Sequence, residues 1–265
     1  MNTAEDHLRV RRSGAVMIVE LNRPEKRNAL TRAMSDALVE AALEAERDPQ
    51  VRVGVLASAA PGMFCAGADL QEVSGDVLAD GRRGASQSFV TLQRRKPWIA
   101  AISGPVLGGG LELALACEMI VAAQGTTLSL PEALRGLIAG GGGLIRLPRL
   151  VPRAVAMEML LTGARITSER ALELGILNRL AAEDELRSSA LDLAQGVCAA
   201  SPAAIAETLA FLRDARSLDE AGQWTLNGQA LQRIFASEDC REGMQAFRER
   251  RAPVWPGLGA PVAST

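Results

Sequence analysis

Three consecutive glycines running into a glutamate, Gly108-Gly109-Gly110-Leu111-Glu112, and a second glutamate in Leu130-Pro131-Glu132 are the residues of this chain best suited to chemistry. Glycine has no Cβ, so a backbone built from it approaches a ligand closely and adopts dihedrals closed to other residues. The following LELALAC segment reads as a helix starting at the glycines. The first amides of a helix lack intrahelical acceptors, and the helix dipole favours negative charge there. Glu112 lies three and four residues beyond Gly109 and Gly108, on the same helix face. An anion-stabilising backbone and a carboxylate therefore point at one spot. Leu111, Leu113, Ala114, Leu115, Ala116 and Cys117 leave this helix without a polar face, which predicts burial. A carboxylate in such a helix must find a partner, hold a proton or line a cavity. Taken alone, Glu132 reads equally well as a first-turn charge favoured by a helix dipole.

The other residue types narrow the chemistry. The single histidine, His7, lies in a segment expected to fray, and there is no tyrosine. A Ser-His-Asp triad and a histidine-based zinc site are both disfavoured. No GxSxG elbow occurs, and the glycine runs at 108–110 and 140–143 fit neither GxGxxG nor GxxxxGK[ST]. Acid–base work falls to carboxylates, with no metal and no separate cofactor expected. The chain has 29 basic and 31 acidic residues, a net charge of −2, which offers no general attraction to nucleic acid or to a membrane surface. The N-terminal MNTAEDHLRVRRSG has no signal-peptide character, and no apolar run approaches the ~20 residues of a membrane span. Cys65, Cys117, Cys198 and Cys240 are widely spaced and read as free thiols of a cytoplasmic protein. At 265 residues and 48% hydrophobic, the chain suffices for one large domain or a domain with an appendage.

The elements that must position the two glutamates follow from periodicity. Residues 8–22 read as two strands joined at Ser13-Gly14, and Leu30 to about Arg47 as a helix ending near Asp48-Pro49. Residues 51–57 form a buried strand. The stretch 72–88, rich in Gly, Ser, Asp and Arg, suggests a loop or irregular helix near a site. A helix is expected from Phe89 to Lys96. Strands follow at 98–103, 119–123 and 126–130, with a turn of helix at Pro131-Glu132 and an amphipathic stretch over 144–151. Repeated strand–strand–helix units imply stacked sheet turns, not one flat sheet. Beyond about residue 185 the pattern is helical, and its apolar face requires a packing partner, such as a neighbouring subunit. These readings divide the chain into an α/β core over 1–190 and a helical region over 191–265.

In order and spacing, LNRPEKRNAL, FCAGADL, GPVLGGGLELALACEMIVA, LSLPEALRG, LTGARITSERALELGILNRL and SEDCREGMQAFRERRAPVW resemble the crotonase, or enoyl-CoA hydratase/isomerase, superfamily. The resemblance runs from about Val16 to Trp255. It implies a spiral of ββα units with a C-terminal helical region that trimerises, often as a dimer of trimers. It also implies an acyl-CoA thioester substrate, whose oxygen accepts hydrogen bonds from two backbone N–H groups, placed by position at Ala66 and Gly109. Such preorganised donors stabilise a developing enolate. Glu132 would protonate the α-carbon and Glu112 activate water, giving hydration of a 2-enoyl-CoA or the reverse dehydration. The alternatives are Δ3-Δ2 isomerisation, an activity like that of the carnitinyl-CoA dehydratase branch, which LPEALRG and SEDCREG through RAPVW resemble, and a non-catalytic acyl-CoA-binding relative.

By the same resemblance Ala68 and Leu70 would lie around the adenine, and Asp69 between them would belong to the substrate-binding set. Lys26 and Arg27 would face the CoA phosphates, with a solvated turn as the equal alternative. Leu70, Leu111, Leu137 and Ile138 would line the acyl pocket. Phe247 and Arg250 would reach a neighbouring subunit's CoA, although Arg250 reads equally as one more exposed charge in RERR. Many hydratases carry proline where this chain has Ala139, which implies a looser loop after Glu132.

Overall fold

The computed structural model describes residues 7–69 and 88–256. Its first strands, β1 (Leu8–Ser13) and β2 (Val16–Leu21), form an antiparallel hairpin around Gly14, whose φ of 57° suits a tight turn. His7 is not frayed, since its carbonyl accepts from Asn22 N at 2.8 Å. Helix α1 (Arg32–Arg47) starts at Thr31, whose side chain accepts from Met34 N, as N-cap threonines do. At its other end the buried Lys96 donates from Nζ to Ala45 O and Asp48 O, each at 2.6 Å.

Strands β3 (Val53–Ser58), β4 (Trp98–Ile102), β6 (Met119–Ala123) and β9 (Arg179–Ala181) extend the hairpin into a six-stranded sheet of order β1-β2-β3-β4-β6-β9, parallel from β2 onward. Strands β5 (Pro105–Leu107), β7 (Thr127–Ser129) and β8 (Ile166–Thr167) make a second sheet. Each pass sends one strand to the large sheet and the next to the small one before a helix returns. β4 and β5 lead into α2 (Gly109–Leu115); β6 and β7 lead through a 3₁₀ turn at Glu132–Arg135 into α3 (Gly143–Leu150) and α4 (Arg153–Thr162). This is the expected spiral of ββα units. α5 (Ser168–Glu173) closes it.

Alternation along the strands covers both faces of the large sheet. Met17, Val19, Leu21, Leu56, Trp98, Ala100 and Ile102 face the main core with α1 and α2, while Val16, Ile18, Val55, Ile99 and Ala101 pack against Ala190 and Ala194 of α6 (Leu186–Ala199). The expected boundary at residue 190 therefore falls inside a helix that belongs to the sheet. The separate helical layer is α7 (Pro202–Asp214), α8 (Glu220–Ala236) and α9 (Glu238–Glu249), joined internally by Ser201 Oγ at the start of α7 donating to Asp239 Oδ2 of α9 at 2.6 Å.

A second expectation is also corrected. Residues 89–96 form turns, not a helix. The carbonyl of Phe89 accepts from the Arg94 guanidinium at 3.2 Å, and the same guanidinium reaches Ala116 O and lies 4.3 Å from the Phe89 ring. A side chain turned inward has replaced the backbone ladder.

Gly54 pairs across the sheet with Trp98, and a Cβ on it would overlap the indole. Gly54→Ala should cost about 1–3 kcal/mol by overpacking, read as a lower urea midpoint at unchanged m. Gly196, which has open space around it in α6, supplies the contrast: Gly196→Ala should stabilise by about 0.5–1 kcal/mol.

Candidate active site

The turn between β5 and α2 is pinned by Gly108 N donating to Ser129 O at 2.9 Å, and Gly108 adopts φ 53°, ψ −126°, which glycine tolerates best. From there α2 enters the core, with Leu111 to Cys117 all at 8% exposure or less. Glu112 is 5% exposed, so the sequence-based expectation of burial holds. Its partner comes from the second glycine run: Gly143 N donates to Glu112 Oε1 at 2.9 Å. A Cβ on Gly141 would sit 2.5 Å from Glu112 Oε2, so bare backbone surrounds this carboxylate.

Glu132 opens the 3₁₀ turn after Pro131 and turns its carboxyl toward Gly108, where a Cβ would lie 3.0 Å from Oε1. Its Oε2 is buried with no hydrogen-bond partner among the described residues. Burial raises the pKa of both acids above the ordinary glutamate value. For Glu112 the Gly143 amide opposes the rise, the Glu132 charge adds to it, and the Gly141 amide and Arg146 oppose it. For Glu132 its own amide and then Arg135 oppose it. Glu112 thus has a donor suited to a carboxylate, and Glu132 has an unpartnered oxygen suited to carrying a proton.

The backbone donors differ from expectation at one position. Ala66 N donates to Arg27 O at 3.0 Å, so it is already satisfied and cannot serve a ligand. The flanking pairs are Leu30 N to Gly67 O at 2.8 Å and Asp69 N to Leu30 O at 2.9 Å. That bridge leaves the amide of exposed Ala68 without an acceptor among the described residues. Ala68 N lies 3.4 Å from where a Gly109 Cβ would be. The open amide beside Gly109 is therefore that of Ala68. No sequence signal separates Ala66 from Ala68, two residues on; the pairing of Leu30 with the 67–69 segment does.

Residues 11–258 match the family described as Enoyl-CoA hydratase/isomerase. The chain belongs to that family. It is 38% identical over 259 residues to a carnitinyl-CoA dehydratase of Salmonella typhi, covering 95% of this chain and 99% of the relative. Solved relatives include an enoyl-CoA hydratase from Mycobacterium tuberculosis, at TM-score 0.89 and 37% identity over 96% of this chain and all of that one. Another, from Mycobacterium marinum, has TM-score 0.89 and 38% identity over 96% of this chain and all of the other.

With the family known, the remaining candidates can be placed. Lys26 and Arg27 are exposed at a 3₁₀ turn whose Arg27 carbonyl holds Ala66, so the loop does border the 66–69 segment. The Asp69 carboxylate is engaged by Arg23 Nη1 at 2.7 Å and is a brace for the loop, not a free ligand group. Leu70 lies outside the described residues. Leu111 is 1% exposed within the main core; Leu137 is partly buried and Ile138 is 72% exposed. Ala139 is buried, and its carbonyl accepts from Leu144 N at 3.2 Å, so backbone bonding holds this loop without a proline. Phe247, 85% exposed, and Arg250, at the C-terminal end of α9, face outward on the helical layer. The residues that sequence reasoning missed are Gly141, Gly143, Arg23 and the half-buried Arg146. Only the glycine run itself signalled any of them.

A carboxyl whose folded pKa is raised binds more protons native than unfolded, so its stability contribution is lost as pH rises above the ordinary value of 4.5. Glu132→Gln removes that loss. The variant should melt about 2 °C above the parent near pH 8, a small gain because solvent screens the half-open group. The difference should vanish toward pH 4, measured by calorimetry.

Proposed function

We propose that this protein is an enoyl-CoA hydratase that adds water across the 2,3 double bond of a 2-enoyl-CoA to give the 3-hydroxyacyl-CoA, and runs the reverse dehydration. The observation that carries this is the unequal pair of acids, Glu112 buried and Glu132 half-open with a buried unpartnered Oε2, beside open backbone amides. The thioester oxygen accepts from Ala68 N–H and Gly109 N–H. These donors stabilise the enolate that forms as oxygen adds at C3, by several kcal/mol for each donor of this sort. Glu112, ionised against the Gly143 amide, takes a proton from the attacking water. Glu132, protonated at Oε2, delivers its proton to the α-carbon. Afterwards Glu112 holds a proton and Glu132 lacks one, and transfer between them restores the starting state. Chain groups perform every step, so the reaction needs neither a metal nor a cofactor beyond the coenzyme A in the substrate. Lys26 and Arg27 supply positive charge toward the CoA phosphates.

The likeness to carnitinyl-CoA dehydratases over 95% of the chain favours a second reading of the substrate, a polar or branched 3-hydroxyacyl-CoA run in the dehydration direction. Both use the same acids. The loss of conjugated-thioester absorbance with crotonyl-CoA tests the first, and its appearance with carnitinyl-CoA the second. Glu112→Gln and Glu132→Gln should each lower kcat by about 10³-fold while binding of the CoA ester persists. Survival of hydration in either variant would overturn the mechanism, and isomerisation surviving in Glu112→Gln alone would identify a Δ3-Δ2 isomerase.

Self-association is supported by α8, a helix of 17 residues with none buried. It exposes Trp224 at 68%, Leu231 at 45% and Phe235 at 66%, an apolar surface of the kind that marks an interface. The assembly is a trimer, or two trimers stacked as a hexamer, with Phe247 and Arg250 reaching the neighbouring subunit's substrate and no nucleic acid or membrane partner. The free thiols suit a cytoplasmic setting. Native mass spectrometry should give three or six chain masses, and Trp224→Glu with Phe235→Glu should give monomers.

A further inference from the structure

Glu112 depends on the Gly140–Gly143 backbone for its hydrogen bond, and the same loop carries a guanidinium. Gly142 has φ +113°, and a Cβ there would overlap Arg146 Nη1 and approach Cζ to 3.2 Å. The guanidinium therefore lies directly against the glycine. Its Nη2 donates to Val90 O, and the Arg146 amide donates to Gly142 O at 2.8 Å. The 88–95 segment is held at its other end by Arg94, bound to Ala116 O at the end of α2. The helix bearing Glu112, the segment carrying Val90 and the glycine loop close into one frame, with Arg146 as its third join.

We propose that Arg146 is a positioning residue, which by lying on Gly142 and holding Val90 keeps the Gly141–Gly143 backbone where Gly143 N–H meets Glu112 Oε1. This rests on the reading of Glu112 as the base. The charges agree with the geometry. Arg146 is partly buried, which lowers its pKa, and Arg94 and Arg216 lower it further. The groups that favour its charge are Glu112 and Cys117. Burial pushes the Cys117 thiol up to about 12, so it is neutral at working pH. Glu112 is left as the anion that rewards burying this cation, a burial that is otherwise costly. In turn Glu112 faces the Glu132 carboxyl from the 3₁₀ turn, the Gly141 and Gly143 amides, and Arg146 from α3. Arg146 is the cation in that set.

The test is the pH dependence of kcat/KM for the parent, Arg146→Met, Arg146→Lys and Gly142→Ala. Without the cation Glu112 is harder to ionise, so the acidic limb should move about one pH unit to higher pH in Arg146→Met, with KM unchanged. Arg146→Lys should restore part of the shift. Gly142→Ala displaces the guanidinium and should shift the limb in the same direction, and the double variant should add nothing further. If Arg146→Met does not fold, Arg146→Lys and Gly142→Ala carry the comparison. A uniform loss of rate with an unmoved limb, or additive effects in the double variant, would overturn the proposal. ¹³C titration of the Glu112 carboxyl in the same variants reads the shift without turnover, so a failed hydratase reading leaves this proposal decided on its own.

Discussion

Burying a carboxylate in a helix that is apolar on every side is the constraint around which this molecule is built. A glutamate at 5% exposure between leucines needs a donor that brings no bulk of its own, since the space around it is already filled. A backbone amide without a Cβ meets that need. Gly143 provides the bond, and Gly141 leaves room beside the second oxygen. The spiral then has a task beyond closing a core: it must return the chain from α2 through β6, β7 and the 3₁₀ turn so that a glycine loop arrives some thirty residues later beneath Glu112. The pinning of Gly108 to Ser129 of β7 fixes the starting point of that return.

The two acids differ through their surroundings and not their chemistry. Both rise in pKa through burial, yet one faces an amide and a cation and the other ends in an oxygen with no partner among the described residues. In the proposed mechanism unequal environments assign the roles of base and acid to residues of one type. Such an arrangement costs stability, since an unpaired buried acceptor is unfavourable by about 1–3 kcal/mol. A site that holds strain of this kind is braced elsewhere. Here the braces include Arg23 on Asp69, Arg94 on Ala116 and Lys96 on the end of α1, each an inward-facing cation on a carbonyl or carboxylate.

The parts of the fold readable in the sequence were those governed by local pattern. The strands over 8–22 and 119–123, the helix from about residue 30 to 47 and the unbroken apolar face of α2 all follow from side chains within one turn or one pleat. What was not readable depends on chain-distant contacts. Residues 89–96 have helical spacing, but Arg94 diverts the Phe89 carbonyl toward α2. The division at residue 190 follows the change in composition, whereas Ala190 and Ala194 answer to the sheet they cover. At the site the two glutamates and Gly109 were visible, and the second amide was displaced by two residues because only the Leu30 bridge shows which N–H groups are already occupied. Arg146 gave no signal, since an arginine in an amphipathic helix normally faces water.

The division of labour between backbone and side chain bears on how one fold serves related reactions. The amides of Ala68 and Gly109 are held by backbone bonding from three distant segments, Arg27–Leu30, Gly67–Asp69 and Gly108 to Ser129. Substitution of side chains leaves those donors in place, so on the proposed reading stabilisation of a thioester enolate belongs to the backbone. The acids are single side chains on a helix and a 3₁₀ turn, and either can change without disturbing the other's support. In the proposed mechanism enolate chemistry stays with the backbone, and the choice of what is added, removed or moved lies with the carboxyls and with the loop that sets their protonation.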